Sequence, residues 1–214
     1  MSKPLPQTKF EEIFNAISHG VAALTAIGGM VVLIVLGVQS PKPYSLFCAL
    51  IYGISLVVLY TFSTLYHSLT NKTAKRVFEI LDHIGIFLLI AGTYTPIVVL
   101  SIGGQVGWTF FGVQWGLALI GIVLKVFLTG RFRILSTLLY AIMGWLIVVK
   151  VDVLQSALPA PAYWLLVSGG LSYTVGIIFY IIDYRMKLSH FIWHLFVTVG
   201  SLLHYIMMVM YVIR

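Results

Sequence analysis

Seven long apolar stretches divide this chain, and they leave it few ways to fold. They run from Gly20 to Val38, Tyr44 to His67, Ile80 to Leu100, Trp108 to Phe127, Ile134 to Val149, Tyr163 to Ile182 and Phe191 to Ile213, the fifth being the shortest. A hydrocarbon core about 30 Å thick takes roughly 20 helical residues to cross. Lipid offers the backbone no hydrogen-bond partners, so a spanning segment must be a helix or part of a closed barrel. Unbroken apolar runs lack the in-and-out alternation of barrel strands. The fold class expected is therefore all-α, an integral membrane bundle of seven transmembrane helices. Short loops, with no low-complexity linker or transporter-type internal repeat, mark residues 1–214 as a single seven-helix membrane domain. Only 9% of the 214 residues are charged, against about 25% in soluble domains.

The basic residues suggest which way the bundle faces. Lys3 and Lys9 precede the first stretch, and Lys72, Lys75 and Arg76 separate the second from the third. Lys125, Arg131 and Arg133 flank the fourth-to-fifth connection, and Arg185 and Lys187 the sixth-to-seventh; Lys42, Lys150 and Arg214 fall on the other side. By the positive-inside rule the N-terminus is expected in the cytoplasm and the C-terminus outside. The net charge of +7 then reflects topology and anionic headgroups, not nucleic acid, which is not expected as a partner. The first residues are polar and the first apolar run is long enough to span, so insertion by the first helix is expected rather than by a cleaved leader. Cys48 is the single cysteine, so a metal site in this chain has to use histidine and carboxylate.

With that orientation, five of the six histidines collect at one end. His190 and His194 open the seventh stretch four residues apart, which on a helix stacks them on one face roughly 5 to 6 Å from each other. His67 closes the second stretch at the same level, Asp82 and His83 open the third, and His19 opens the first. Ionisable groups inside a bundle are costly and are usually paired, hydrated or functional. Two imidazoles one turn apart can hold one metal ion, and His67 supplies a third if the fold brings it near. Three neutral imidazoles and a water make the open, catalytic kind of zinc site, in which the pKa of the water falls to about 7. Asp82 could hold and deprotonate that water. Ser63, one turn deeper than His67, could bond either the water or a developing oxyanion. Asp82 and His83 point about 100° apart, so only one can face the same centre. The plainer reading of an isolated interfacial histidine is a polar residue satisfied near headgroups, and His19 reads that way. His204, about 15 Å deeper along the seventh helix, reads as a helix-to-helix hydrogen-bond partner.

Other features read as structural. Pro96, after Gly92-Thr93-Tyr94-Thr95, predicts a kink. Gly169, Gly170 and Gly176 suit either close helix packing or a wide cavity. Trp108, Trp145 and Trp164 read as interface anchors. Met207, Met208 and Met210 read as lipid or core contacts.

Four motifs carry a family resemblance: Glu12-Ile13-Phe14-Asn15-Ala16-Ile17-Ser18-His19, Ser63-Thr64-Leu65-Tyr66-His67, Leu81-Asp82-His83 with the later Gly92-Thr93-Tyr94-Thr95-Pro96, and Ser189-His190-Phe191-Ile192-Trp193-His194. In this order and spacing the chain resembles a haemolysin III-type member of the progestin and adipoQ receptor family, related to the adiponectin receptors, over nearly its full length. The resemblance implies zinc as cofactor near the cytoplasmic face, bound by His67, His190 and His194, with Asp82 close to the metal-bound water. Through the wider superfamily, which includes alkaline ceramidases, it implies hydrolysis of a lipid amide. The short segment before the first span departs from the receptor type and points to a bacterial inner-membrane protein.

Three functions follow as expectations. The first is a zinc-dependent hydrolase of a lipid amide or acyl lipid, with Asp82 and Ser63 catalytic and a membrane lipid as substrate. The second is a non-enzymatic membrane sensor or regulator in which zinc ties the second and seventh helices together. The third, suggested by the family label alone, is a pore-forming haemolysin. The same three histidines serve the first two equally.

Overall fold

The computed structural model describes residues 7–128 and 133–214. Lys3 and Arg131, used above for orientation, lie outside them. Every regular element described is helical: α1 (Lys9–Gln39), α2 (Ser45–Ser68), α3 (Lys72–Pro96), α4 (Gly104–Leu128), α5 (Arg133–Trp145), α6 (Val151–Ala157), α7 (Ala160–Ile181) and α8 (Ser189–Met207). Seven of the resulting spans are long and apolar enough to cross a membrane. The chain is a multi-pass integral membrane protein.

Several boundaries differ from those expected, α3 starting at Lys72 instead of Ile80 and α4 at Gly104 instead of Trp108 among them, and two of the differences have a direct physical reason. The fifth span does not stop at Val149; α5 passes through a tight 3-10 turn, Leu146–Lys150, into α6, and the whole runs Ile134–Ala157. Lys150 and Asp152 interrupt the apolar run there without interrupting the helical path. At the other boundary α1 begins eleven residues before Gly20. Thr8 caps it in a reciprocal box with Glu11, in which Glu11 N donates to Thr8 Oγ1 (3.2 Å) and Thr8 N to the Glu11 carboxylate (2.8 Å), a pairing that satisfies two helix-end donors. Hydropathy could not see this extension because its inward residues, Glu12, Asn15 and His19, are polar.

The helices close into a ring. α1 packs on α2, α2 on α3 and α7 on α8, while α8 returns to α1; α5 bridges α3 and α7, and α4 lies outside against α3. Glycines set the closest approaches. A methyl group at Gly85 would sit 3.0 Å from Leu59 Cα, and one at Gly92 would strike Ser55, so α3 lies backbone-close to α2. Gly169 and Gly176 likewise admit His204 and Trp193 between α7 and α8. Gly170, by contrast, faces a cavity, so both readings of this glycine group hold, at different residues. Outward side chains such as Val21, Leu24, Val31, Leu119, Phe127 and Leu202 are exposed and face lipid.

Pro96 does not end α3 but changes its pitch. Proline lacks the N–H that Gly92 O would receive, Thr95 Oγ1 returns a bond to Ala91 O (2.8 Å), and the ladder widens into a π turn over Ile97–Ile102. Gly103 and Gly104, with φ of +65° and +56°, then reverse the chain into α4. α8 widens in the same way over Met208–Val212. Met207 and Met208 are fully buried there, whereas Met210 is exposed.

Candidate metal centre

At the opposite end from these π turns, α2 delivers His67 in its last turn and α8 delivers His190 and His194 in its first two. The start of α8 is fixed by Leu188, whose φ of +59° is unusual for a branched residue. Its N–H donates to Glu11 Oε1 at 2.7 Å. The next residue, Ser189, donates its hydroxyl to Phe179 O on α7. The helix thus starts at one defined register. Ring centroids lie 4.9 Å apart for His67 and His194, 5.2 Å for His67 and His190, and 4.8 Å for His190 and His194. One nitrogen from each of the three can be chosen so that all lie within 4.8 Å of one another, and this group could hold a metal ion.

The residues present fit such an ion. His67 Nδ1 lies 2.7 Å from Glu12 Oε2, and Glu12 Oε1 accepts from Lys75 Nζ at 2.8 Å. A carboxylate only accepts, so Nδ1 carries the proton and Nε2 is left with its lone pair. That Nε2 is buried without a protein partner, a costly state for a polar atom unless something fills it. Ligating histidines commonly have the far nitrogen held by a carboxylate, which fixes the tautomer and raises basicity. For His194 of α8, Ser18 Oγ of α1 lies 3.4 Å from Nδ1, which leaves the Nε2 side of that ring for the cluster. Neutral imidazoles of this kind suit zinc and the later first-row metals.

Asp82, half-buried in α3, faces both Ser63 and His67. The Gly85–Leu59 approach one turn further on brings the two helices this close. Ser63 is fully buried and its hydroxyl makes no hydrogen bond of ordinary geometry. His83 turns away, as the 100° offset requires: its Nδ1 contacts Glu79 O (2.6 Å) and its Nε2 lies 3.4 Å from Tyr180 OH. His19 is not a headgroup residue. It is buried and stacks on His194 with ring centroids 3.6 Å apart and planes within 7°. His204 donates from Nε2 to Leu166 O at 3.0 Å, the interhelical bond expected of it.

Two spaces lie near the cluster, of which the outer is lined by His190 and the inner by none of the three histidines, Asp82 or Ser63. A polar recess of about 120 Å³, lined by Gln7, Thr8, Glu11, Asp183, Lys187 and His190 among others, lies on its outer side. Inward lies a largely apolar cavity of about 290 Å³ between α3, α5, α7 and α8. Ile86, one turn beyond Asp82, and Trp193, beside His194, line its near end. Gly144, Val148 and Thr174 line it and are exposed on the bundle surface. The Trp145 indole donates to Thr174 Oγ1 (3.0 Å) across the same rim.

Over residues 7–205 the chain matches the family model described as haemolysin-III related. The chain belongs to the haemolysin III family. It is 41% identical to "Hemolysin-3" of Bacillus cereus over 203 residues, covering 95% of this chain and 92% of that one. It is also 41% identical to "Hemolysin-3 homolog" of Bacillus subtilis (strain 168), covering 95% of each. More distantly it is 28% identical to the human "Monocyte to macrophage differentiation factor", covering 92% of this chain and 83% of that one. The haemolysin III resemblance drawn from the four motifs is therefore shown.

The residues that the sequence reading passed over are Glu11, Glu12, Lys75 and Ser18. Glu12 and Ser18 stood inside the first motif, and a carboxylate on the polar extension of a spanning helix was the available signal. Nothing in the sequence paired it with His67, 55 positions away.

Proposed function

We propose that this haemolysin III protein is a zinc-dependent hydrolase of a lipid amide or related acyl lipid, working at the cytoplasmic side of the bacterial inner membrane as one seven-helix unit. The observation that carries the reading is the three-histidine group with Asp82 and Ser63 beside it, near a polar recess that His190 lines and an apolar cavity deeper in the same bundle. A hydrolase of a membrane lipid needs that pair of environments, one for water and headgroup and one for hydrocarbon. The side is inferred from charge, since Lys9, Lys72, Lys75, Arg76, Arg185 and Lys187 gather at the histidine end.

His67, His190 and His194 would hold the zinc, which when bound supplies Lewis-acid polarisation of an acyl oxygen and acidifies water. Asp82 accepts the proton of the attacking water and returns it to the leaving amine, the two tasks of one general acid-base group. The Ser63 hydroxyl, beside Asp82, donates to the carbonyl oxygen as negative charge develops on it. Glu12 keeps the His67 ring in one tautomer, and Lys75 keeps Glu12 ionised and in place.

A second reading has its own support. The three ligands come from α2 and α8, which do not adjoin in the chain, so a bound metal would also clasp the bundle in a sensor that cleaves nothing. The lytic activity in the relatives' printed names is supported by no feature of this site. Purified protein offered ceramide and other acyl lipids separates the readings: fatty acid release is expected, lost on chelation and reduced by about 100-fold or more in Asp82→Asn. Turnover indifferent to both changes would overturn the mechanism. No turnover, with a thermal midpoint that falls on chelation, would establish the clasp, and leakage of dye-loaded liposomes would establish the pore.

A further inference from the structure

His19, one residue after Ser18 on α1, is a buried histidine that the three-ligand group leaves out. It is 3% exposed and lies on His194 almost ring over ring, with centroids 3.6 Å apart and planes within 7°. Tyr60 of α2 packs against it at right angles, with centroids 5.0 Å apart. Its nitrogens make no hydrogen bond of ordinary geometry, beyond a weak approach to the His194 carbonyl. The rings around it are therefore its main partners.

This geometry decides against a fourth ligand. The lone pair of an imidazole nitrogen lies in the ring plane, so an ion held by His194 lies in the plane of that ring. Stacked rings come no closer than about 3.5 Å, whereas a zinc–nitrogen bond is about 2.0 to 2.1 Å. While the stack holds, His19 cannot reach the same ion.

What the stack can do is hold His194 and tune it. Aromatic pairs prefer offset or edge-to-face arrangements, because eclipsed faces set like charge against like. Two neutral imidazoles so nearly eclipsed gain little from one another. The balance changes when His194 gives electron density to a dication: its face turns positive, and the π cloud of a neutral His19 then attracts it as a ring face attracts a cation. His67 is oriented by a carboxylate at one nitrogen, whereas His194 has the 3.4 Å contact to Ser18 and a whole ring against its face.

We infer that His19 is a positioning residue of the metal centre, an aromatic plate that keeps the His194 ring in its ligating plane and stabilises it when it is bound to metal. This rests on the zinc reading of the three histidines and not on hydrolysis.

The test is the zinc affinity of the full-length purified protein in detergent, by competition with a chromogenic chelator, beside the visible spectrum of the cobalt(II)-substituted protein. His19→Leu and His19→Met keep bulk without a π face and should each weaken zinc binding by about tenfold. His19→Phe, or 3-(2-thienyl)alanine in place of His19 where a six-membered ring overfills the slot, should stay within about threefold of wild type. The cobalt bands should keep their positions throughout, since the ligand set does not change. Thermal unfolding of the metal-free protein selects, from each pair, the variant that folds as the wild type does. Wild-type affinity in the non-aromatic variant overturns the inference, and so does an aromatic variant that loses as much zinc as the non-aromatic one. Altered cobalt bands in the aromatic variant would overturn it by making His19 a ligand. In all three cases the zinc reading stands; a wild type that binds no zinc overturns that reading and this inference together.

Discussion

The two ends of this bundle are held together by different physics. At the histidine end the first turns of α1 act through charge and hydrogen bonds: Glu12 joins His67 of α2 to Lys75 of α3, and Glu11 receives the backbone N–H that starts α8. At the other end the joints are apolar and backbone-close. Ile97, Val98, Met208, Val212 and Ile213 are all but fully buried, and the backbones nearly touch at Gly37 and Gly107. Burying polar contacts yields little net stability, whereas close packing is the main source of it. The first end is arranged to orient rings, the second to hold the bundle shut. Substitutions at the first should move metal binding more than stability, and substitutions at the second stability alone.

The largest effect on metal binding expected of a residue outside the three histidines is at Glu12. With the side chain removed, His67 Nδ1 loses its acceptor and the ring is free to change tautomer. Glu12→Ala should weaken zinc binding by about 10- to 100-fold, read by competition with a chromogenic chelator, beside a larger loss in His67→Ala. Glu12→Gln, which keeps an acceptor without the charge, should fall between wild type and Glu12→Ala. Unchanged affinity in Glu12→Ala would make the His67–Glu12 contact a mere tether and erase the contrast between the ends.

Gly107 tests the other side of the contrast. A methyl group there would lie 2.1 Å from the Val98 carbonyl oxygen, in the π turn that follows Pro96. Backbone cannot move aside as a flexible side chain can, so Gly107→Ala should cost about 1–3 kcal/mol of stability with zinc content unchanged. Thermal unfolding alongside metal analysis checks both halves. A variant of normal stability that loses metal would show that the two ends are coupled through α3.

The sequence made the fold legible because spans are long and lipid leaves the backbone no alternative, and the seven segments stand nearly where hydropathy puts them. The three histidines were legible for a related reason: imidazoles are rare in apolar surroundings, so His67, His190 and His194 stood out, and their convergence needed only that α2 and α8 end and begin at one level. Helical geometry alone predicted that one of Asp82 and His83 would turn away. What stayed hidden depended on pairing across the bundle. Glu12 lies on a helical extension too polar to register as part of a span, and His19 looked interfacial because it closes that extension. No local pattern places His19 flat against His194. The cavity was equally out of reach, since Gly169 and Gly170 are neighbours in sequence, the first facing a packed histidine and the second the cavity wall beside Trp145.

The smallest effect is expected at a charged tether of the packed end. Lys42, in the turn between α1 and α2, donates from Nζ to Val212 O at 2.8 Å, beside a bond from Ser45 Oγ to Ile213 O at 3.0 Å. These two donors satisfy carbonyls that the last helix leaves open. Partial burial holds the Lys42 ammonium below its ordinary value of 10.5. A lysine depressed in this way binds fewer protons folded than unfolded at pH values between its two pKa values. Stability therefore rises with pH through the depressed value and levels off near 10.5. Lys42→Met removes both the tether and the titration, so its stability should change little over that window while the wild type gains slightly. Unfolding midpoints measured from neutral pH upward would show it. A wild type that instead shows no gain below 10.5 and loses stability above it, with Lys42→Met unaffected, would mean that the charged tether to Val212 O outweighs the cost of burying the ammonium, and that this end too is held by charge.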